Sequence, residues 1–309
     1  MNTAVAQKSA SATATTTAAS ASAVAVAGAE VGADVAAASV TTEWVDLDWG
    51  ERRVRIEHQW LRRRDKAAPL LVFLHEGLGS VSMWRDFPLA LCEALQCRGL
   101  VYSRPGYGQS TPRAADEAWG TDFMHRQAYE VLPALFEALG VDTERDKPWL
   151  FGHSDGGSIA LLFAARFPDR LAGAIVVAPH ILVEEISVSS IAEARTAYLQ
   201  TTLRQRLARH HADVDSAFWG WNDIWLHPAF RAWNITSELA SITCPLLAVQ
   251  GVNDEYGTLE QVRGIVRLTP QCELVELADC GHSPHRDRKD RLIEAVNDFF
   301  QQQRQETKP

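Results

Sequence analysis

The sequence lacks several features by which whole classes of protein are recognised. It has no run of about 18 apolar residues, the minimum for a membrane-spanning helix, so we expect no span. Its five cysteines include no Cys-x-x-Cys pair, so neither a disulfide framework nor a zinc site is predicted. Basic residues (30) are outnumbered by acidic ones (39), and nucleic-acid binding, which needs clustered Lys and Arg, is not expected.

What remains is the composition of a globular protein with a biased N-terminus. Of 309 residues, 46% are hydrophobic and 22% are charged, which is typical of a folded domain. Residues 1–40, however, are almost entirely Ala, Ser, Thr, Val and Gly. Such side chains bury too little area to offset the entropy of ordering, so we interpret 1–40 as a disordered tail. A targeting peptide is the weaker alternative because arginine is absent there, and unpaired cysteines favour a cytoplasmic protein.

Beyond residue 40, short apolar runs alternate with segments of helical spacing. The runs are 70–74, 100–103, 149–152, 174–178, 246–250 and 274–277. Runs that are apolar on both faces are typical of buried parallel strands, with helices covering both sides of the sheet. Two strands around Gly50 precede them and predict an antiparallel hairpin. The pattern predicts an α/β fold with a mostly parallel eight-stranded sheet, formed by residues 41–180 and 241–309.

One interval, 181–240, is too long for a single crossover between strands. It has helical spacing over 191–211 and then becomes aromatic, with Phe218, Trp219, Trp221, Trp225, Phe230 and Trp233. We interpret 181–240 as a helical lid inserted after the sixth strand. The alternative is a group of helices whose aromatic side chains only pack against one another.

The sharpest local signal is the segment 152–157, with the sequence GHSDGG. It matches Gly-x-Ser-x-Gly and lies between an apolar strand and a helix of small residues. In that context the turn is so tight that the flanking positions must be glycine, and the serine hydroxyl projects above the sheet edge. We predict that Ser154 is a nucleophile.

A serine hydroxyl needs a base, and His282 is the best candidate. It follows the last predicted strand and precedes the final helix, so its loop reaches the same sheet edge as Ser154. The competing histidines are His75, His153, His180 and His285. Cys280 lies two residues before His282, but a catalytic Cys–His pair is disfavoured because such near neighbours usually point apart.

The base in turn needs a carboxylate that holds its tautomer and stabilises the imidazolium. Asp254 follows the strand 246–250 and is the best-placed acid, with Glu255 as its rival.

The site also needs two backbone N–H groups for the developing oxyanion. One is the amide of Asp155, directly after the nucleophile. The other should come from the glycine-rich loop 75–80, where we expect the amide of Gly77 or Leu78 to serve.

Together these motifs resemble the α/β-hydrolase superfamily over about residues 43–303. The resemblance rests on segments 74–79, 103–110, 152–157, 251–254 and 281–282, and on the chain order Ser154, Asp254, His282. Within the superfamily the chain is most similar to bacterial esterases and 3-oxoadipate enol-lactonases of aromatic catabolism. Segment 103–110 resembles the family's Asp-x-Arg-Gly-x-Gly-x-Ser, but Ser103 and Pro105 depart from it. We expect Arg104 to hold a loop rather than to bind substrate.

The resemblance implies a serine hydrolase that cleaves a carboxylic ester or lactone through an acyl-enzyme, with no cofactor and no metal. We expect a small apolar or aromatic substrate, contacted by His75, Glu76, Trp221 and Trp225. A homo-oligomer is compatible with the sequence.

Two alternatives stay open. The same triad could hydrolyse a C–C bond in an aromatic ring-fission product. Arginines of the lid would then hold a substrate carboxylate: Arg195, Arg204, Arg206, Arg209 and Arg231. From another class, the chain could be a non-catalytic receptor or scaffold that reuses the fold.

Overall fold

The protein is described by a computed structural model, which covers residues 40–62 and 67–306. Eight strands form one sheet. They are β1 Thr42–Trp49, β2 Arg52–Leu61, β3 Leu70–Leu74, β4 Arg98–Tyr102, β5 Trp149–His153, β6 Gly173–Val177, β7 Leu246–Gly251 and β8 Cys272–Leu277. The predicted tail, 1–40, lies outside the described residues except for Val40.

The strand order is β1-β2-β4-β3-β5-β6-β7-β8. β1 pairs antiparallel with β2, and β2 pairs antiparallel with β4, whereas every other pair is parallel. The predicted hairpin and the mostly parallel eight-stranded sheet are therefore confirmed. β5 lies inside the sheet, so the loop that follows it reaches the middle of the carboxyl edge.

The central strands are buried on both faces because successive side chains face opposite helix layers. Leu70, Val72 and Leu74 belong to one apolar cluster, whereas Leu71 and Phe73 belong to the other. This explains why the sequence of these strands reads as continuous apolar runs rather than as an alternating pattern.

Eleven α-helices are found in the described residues. They are α1 Phe87–Ala94, α2 Phe123–Arg126, α3 Leu132–Ala138, α4 Asp155–Arg166, α5 Glu185–Gln200, α6 Leu203–Leu207, α7 Val214–Trp225, α8 Thr236–Leu239, α9 Glu260–Leu268, α10 Pro284–Asp287 and α11 Lys289–Glu306. A π-helical turn, Gln127–Val131, joins α2 to α3. None of the helices in the described part of the chain has the length and apolarity needed to cross a membrane.

The segment between β6 and β7, residues 178–245, is called the helical insertion below, and it contains α5 to α8. The helical spacing predicted over 191–211 is interrupted, because α5 ends at Gln200 and Thr201 is extended. The Thr201 hydroxyl then accepts a hydrogen bond from the Leu203 amide (3.1 Å), which begins α6. The insertion follows the sixth strand as expected, and its action as a lid stays a prediction.

The aromatic side chains of the insertion pack largely on one another. The rings of Tyr198 and Phe218 are stacked with their centroids 3.7 Å apart, and Phe230 lies against Trp225 and Trp233. These contacts give the insertion an apolar interior of its own, so most of its aromatic residues are accounted for by packing.

A buried histidine, His211, ties the insertion to two loops of the core. Its Nδ1 accepts a hydrogen bond from the Gly108 amide (3.0 Å), and its Nε2 donates to the Leu78 carbonyl (3.0 Å). The bond from Gly108 requires a neutral ring, because Nδ1 must keep its lone pair in order to accept it. Burial lowers the pKa of His211 to about 4, so the neutral form persists in the folded protein well below pH 6.

We predict that His211→Ala lowers the unfolding free energy at pH 7 by about 1–3 kcal/mol, because it leaves a buried amide and a buried carbonyl unpaired. The difference in unfolding free energy between the two proteins, called the gap below, should narrow as the pH falls from 6.5 towards 4. In that range His211 becomes protonated in the unfolded wild type but stays neutral in the folded protein. Acidification therefore lowers the unfolding free energy of the wild type, whereas the variant has no such group.

Urea unfolding at pH 7 and pH 5 measures this gap. Leu199→Ala, which removes an exposed side chain of the same insertion that carries no titratable group, serves as the control and should show a constant gap. A gap for His211→Ala that widens on acidification would contradict the role given to its neutral ring.

Candidate active site

Ser154 occupies a strained turn between β5 and α4. Its φ of 53° and ψ of −121° lie outside the regions that side chains favour. The turn is possible because its neighbours have no side chain: a Cβ on Gly152 would overlap the Gly156 carbonyl, and one on Gly156 would overlap the Leu74 carbonyl. The sequence pattern of small residues around Ser154 therefore reflects close approach of three backbone segments.

Ser154, His282 and Asp254 form a hydrogen-bonded row at the carboxyl edge of the sheet. The Ser154 hydroxyl donates to Nε2 of His282 (2.9 Å), and Nδ1 of His282 lies 2.9 Å from both carboxylate oxygens of Asp254. A nitrogen facing two carboxylate oxygens carries the proton, so Nε2 is the free acceptor. This is the tautomer in which a histidine can remove the serine proton.

The Asp254 carboxylate is fixed by its own loop. One of its oxygens accepts hydrogen bonds from the amides of Tyr256 (2.8 Å) and Gly257 (3.2 Å). Burial alone would raise the pKa of Asp254, but the hydrogen bond and charge of His282 outweigh it and lower the pKa below its usual value. The carboxylate is therefore held in its ionised form.

The rival acid, Glu255, does not face the His282 ring. Its carboxylate accepts a hydrogen bond from the backbone amide of His282 (3.0 Å). The His282 carbonyl in turn accepts from Nε2 of His153 (2.7 Å). Side chains therefore hold both backbone groups of His282, a role for Glu255 and His153 that the sequence did not reveal.

His153 and His285 lie behind the His282 loop rather than beside Ser154. Their rings are 4.8 Å apart, and both are almost fully buried. Burial lowers the pKa of His285 to about 3, so it stays neutral. The Glu76 carboxylate approaches Nδ1 of His153 (3.6 Å). Burial would raise the pKa of Glu76, but the interaction with His153 prevails and lowers it.

The loop after β3 turns tightly over Ser154's strand. The Gly79 amide donates to the Glu76 carbonyl (3.0 Å), which closes the turn. Among the described residues, no acceptor receives the N–H of Gly77, of Leu78 or of Asp155, the first residue of α4. These are the amides that the sequence identified as oxyanion donors.

Two of the residues expected to contact substrate have their polar atoms bonded within the protein. His75 is fully buried, its Nδ1 donating to the Glu76 carbonyl (2.7 Å) and its Nε2 accepting from the Arg104 amide (3.0 Å). Trp225 is only 1% exposed and its indole N–H bonds to Asp155 (3.2 Å). Substrate contact by either residue stays a prediction.

The other two residues expected to contact substrate are Trp221 and Glu76. They lie at the loop that carries the expected oxyanion donor. The Trp221 indole fills the space that a side chain on Gly77 would occupy. Glu76 keeps 24% of its side chain exposed. Either could contact a bound molecule, and both stay predictions.

Arginines of the insertion are engaged with acids of the insertion. Arg195 bonds to Asn222 (2.7 Å) and to Asp223, Arg204 to Asp215 and Arg231 to Glu185. Arg206 and Arg209 are exposed. Three of the five arginines are therefore paired with acids, none of the five is buried, and carboxylate binding by the insertion stays a prediction.

Glu57 of β2 supports the loop 103–110, a role that the sequence analysis missed. Its carboxylate accepts hydrogen bonds from the Ser103 hydroxyl (2.7 Å) and from the Gln109 amide (2.8 Å). Ser103 stands where the family motif has Asp, so a carboxylate from the neighbouring strand now braces this loop. No local signal could have identified it, because Glu57 is 46 residues away in the chain.

The described residues offer neither an activated thiol beside His282 nor a metal cluster. Burial raises the pKa of Cys280 to about 11, so its thiol is not a nucleophile at neutral pH. Within residues 40–62 and 67–306, no cluster of three or more His, Cys, Asp or Glu side chains could hold a metal ion.

The fold described above agrees with comparisons with known proteins. The model of the alpha/beta hydrolase family matches residues 71–295. A relative from Burkholderia cepacia, 2-hydroxy-6-oxo-6-phenylhexa-2,4-dienoate hydrolase, is 24% identical over 257 residues, which cover 74% of this chain and 87% of the relative.

Solved structures share the fold at low sequence identity. A carboxylesterase of Nitrososphaera gargenis superposes with a TM-score of 0.67 at 18% identity, covering 85% of this chain and all (100%) of the other. The enol-lactonase of Burkholderia xenovorans gives 0.61 at 22% identity, covering 80% and 97%. The family model covers residues 71–295, which include Ser154, Asp254 and His282. We conclude that the chain belongs to the α/β-hydrolase family of enzymes.

Proposed function

We propose that the protein is a serine hydrolase that cleaves carboxylic esters or lactones through an acyl-enzyme. The observation that carries the proposal is the row of hydrogen bonds from Ser154 through His282 to Asp254. A hydroxyl, an imidazole and an ionised carboxylate in this order can activate the hydroxyl as a nucleophile.

In the proposed reaction the Ser154 oxygen adds to the substrate carbonyl carbon while His282 takes the hydroxyl proton. The amides of Asp155 and of Gly77 or Leu78 stabilise the oxyanion. His282 then gives its proton to the leaving oxygen, and an acyl-enzyme remains. Water, deprotonated by His282, adds to the acyl carbon and releases the acid, which restores the serine hydroxyl.

We also propose that the helical insertion acts as the lid. Its Trp225 bonds to Asp155, and its Trp221 lies on Gly77, so the insertion contacts both expected oxyanion donors. The five buried free thiols, all in the described residues, suit a reducing compartment such as the cytoplasm.

Cleavage of a C–C bond in a ring-fission product is the second candidate, because a relative with that activity covers most of the chain. The paired arginines of the insertion weigh against it. Comparing turnover of a dienoate-type ring-fission product with that of p-nitrophenyl esters and enol-lactones decides between them. Faster turnover of the dienoate would select C–C hydrolysis.

We predict that Ser154→Ala lowers kcat for p-nitrophenyl esters by about 10⁴-fold or more, because the acyl acceptor is lost. A fluorophosphonate should label wild-type protein once, at Ser154, as read by peptide mass spectrometry. Undiminished turnover by the variant would disprove the proposed mechanism, and an unlabelled, inactive wild type would point to a non-catalytic protein.

We predict that Asp254→Asn lowers kcat by about 10⁴-fold, because an amide at this position favours the wrong histidine tautomer. Its matched partner is Glu255→Gln, which removes the neighbouring carboxylate but keeps an oxygen that can accept from the His282 amide. We expect Glu255→Gln to lose less than about tenfold. Steady-state assays of both variants at pH 7 make the comparison, and the reverse order would mean that Glu255 is the acid of the site.

A further inference from the structure

Arg104 is a buried cation whose hydrogen bonds are incomplete. It follows β4 and its side chain is 0% exposed. One guanidinium nitrogen, Nη2, donates to the Glu76 carbonyl (2.8 Å), whereas Nε and Nη1 have no hydrogen-bond partner among the described residues. The guanidinium also lies over the Tyr107 ring, 4.7 Å from its centroid. Burying a charged guanidinium with incomplete hydrogen bonding costs folding free energy. The contacts that Arg104 makes therefore call for an explanation.

The acceptor of Arg104 is the carbonyl of a particular peptide group. Glu76 C=O and Gly77 N–H belong to the same planar unit, so a bond that fixes the carbonyl also fixes the direction of the N–H. Three donors converge on this carbonyl: Arg104, the His75 ring (2.7 Å) and the Gly79 amide (3.0 Å). A hydrogen bond to the carbonyl also polarises the N–H at the other side of the peptide.

Arg104 contacts the residue of the second oxyanion donor as well. Its Nη2 lies 3.9 Å from one carboxylate oxygen of Asp155, whose backbone N–H follows Ser154. The other carboxylate oxygen accepts the Trp225 indole N–H (3.2 Å). Burial raises the pKa of Asp155, while the Arg104 charge and the Trp225 hydrogen bond oppose the rise.

We propose that Arg104 is a positioning residue for the oxyanion hole, which orients the Glu76–Gly77 peptide and the Asp155 backbone through one guanidinium group. The inference rests on the proposed serine-hydrolase function and adds a residue that does not touch the substrate. The charge of Arg104 also lies behind both amides, where a cation favours negative charge on the substrate oxygen. The charged or titratable groups that face it are Asp155, His75, Tyr107 and Glu76.

The test uses the full chain with Arg104→Met and Arg104→Lys. Methionine keeps the apolar stem without the donors, and lysine keeps the charge with a single donor group that cannot span both partners. We expect Arg104→Met to lower kcat for a p-nitrophenyl ester about 10- to 100-fold, with KM nearly unchanged. Arg104→Lys should recover part of that loss.

A second readout isolates the oxyanion hole. An alkyl trifluoromethyl ketone with a ¹³C-labelled carbonyl accepts the Ser154 oxygen, His282 takes the serine proton, and the carbonyl oxygen becomes a hemiketal oxyanion. The ¹³C shift reports the pH at which this hemiketal is protonated. We expect that pH to rise by about one unit or more in Arg104→Met, equivalent to at least a tenfold weaker oxyanion site.

The control is Arg263→Met, which removes a surface arginine of α9 paired with Glu276 and should leave both readouts unchanged. A folded Arg104→Met protein with wild-type kcat and wild-type hemiketal ionisation would overturn the inference. If that variant does not fold, Arg104→Lys alone decides, by the same two measurements. A wild-type protein that forms no hemiketal would instead overturn the proposed function, and with it the inference.

Discussion

The backbone turn at Ser154 is the constraint on which the rest of the site depends. A non-glycine residue at φ 53° is held between a strand and a helix that approach so closely that no side chain fits at Gly152 or Gly156. Because β5 lies inside a parallel sheet, this turn stands between the loops of neighbouring strands. That edge brings the His282 imidazole to the Ser154 hydroxyl across 128 residues of sequence.

The core of the protein also buries several histidine side chains, and burial keeps some of them neutral. His75 and His211 each bond through both ring nitrogens to loop backbone, which requires that they be neutral. His180 is also kept neutral, since burial lowers its pKa to about 3. The rings of His75 and His211 therefore connect loops, whereas the ring of His282 meets a serine hydroxyl and a carboxylate. The burial that makes the site rigid also makes it sensitive to acid.

Much of the architecture was predictable because its signals are local. Apolar runs marked six parallel strands to within about two residues, and the glycines around Ser154 marked the turn. The contacts of individual side chains have weaker local signals. His75 and Trp225 were expected to face the substrate, yet each spends its polar atoms on the protein. The aromatic composition of the insertion predicted an apolar surface, but could not distinguish a substrate pocket from the insertion's own interior.

The sequence by itself determined the order of strands and helices, the place of the insertion and the three side chains that meet at the sheet edge. It could do so because hydrophobic periodicity and glycine requirements act over a few residues. Only the tertiary structure decided between the adjacent carboxylates, assigning the ring nitrogen of His282 to Asp254 and its backbone amide to Glu255. It likewise placed the Arg104 guanidinium beside the Glu76 carbonyl and the Asp155 carboxylate, because the direction of a buried side chain is set by partners distant in sequence, not by its neighbours along the chain.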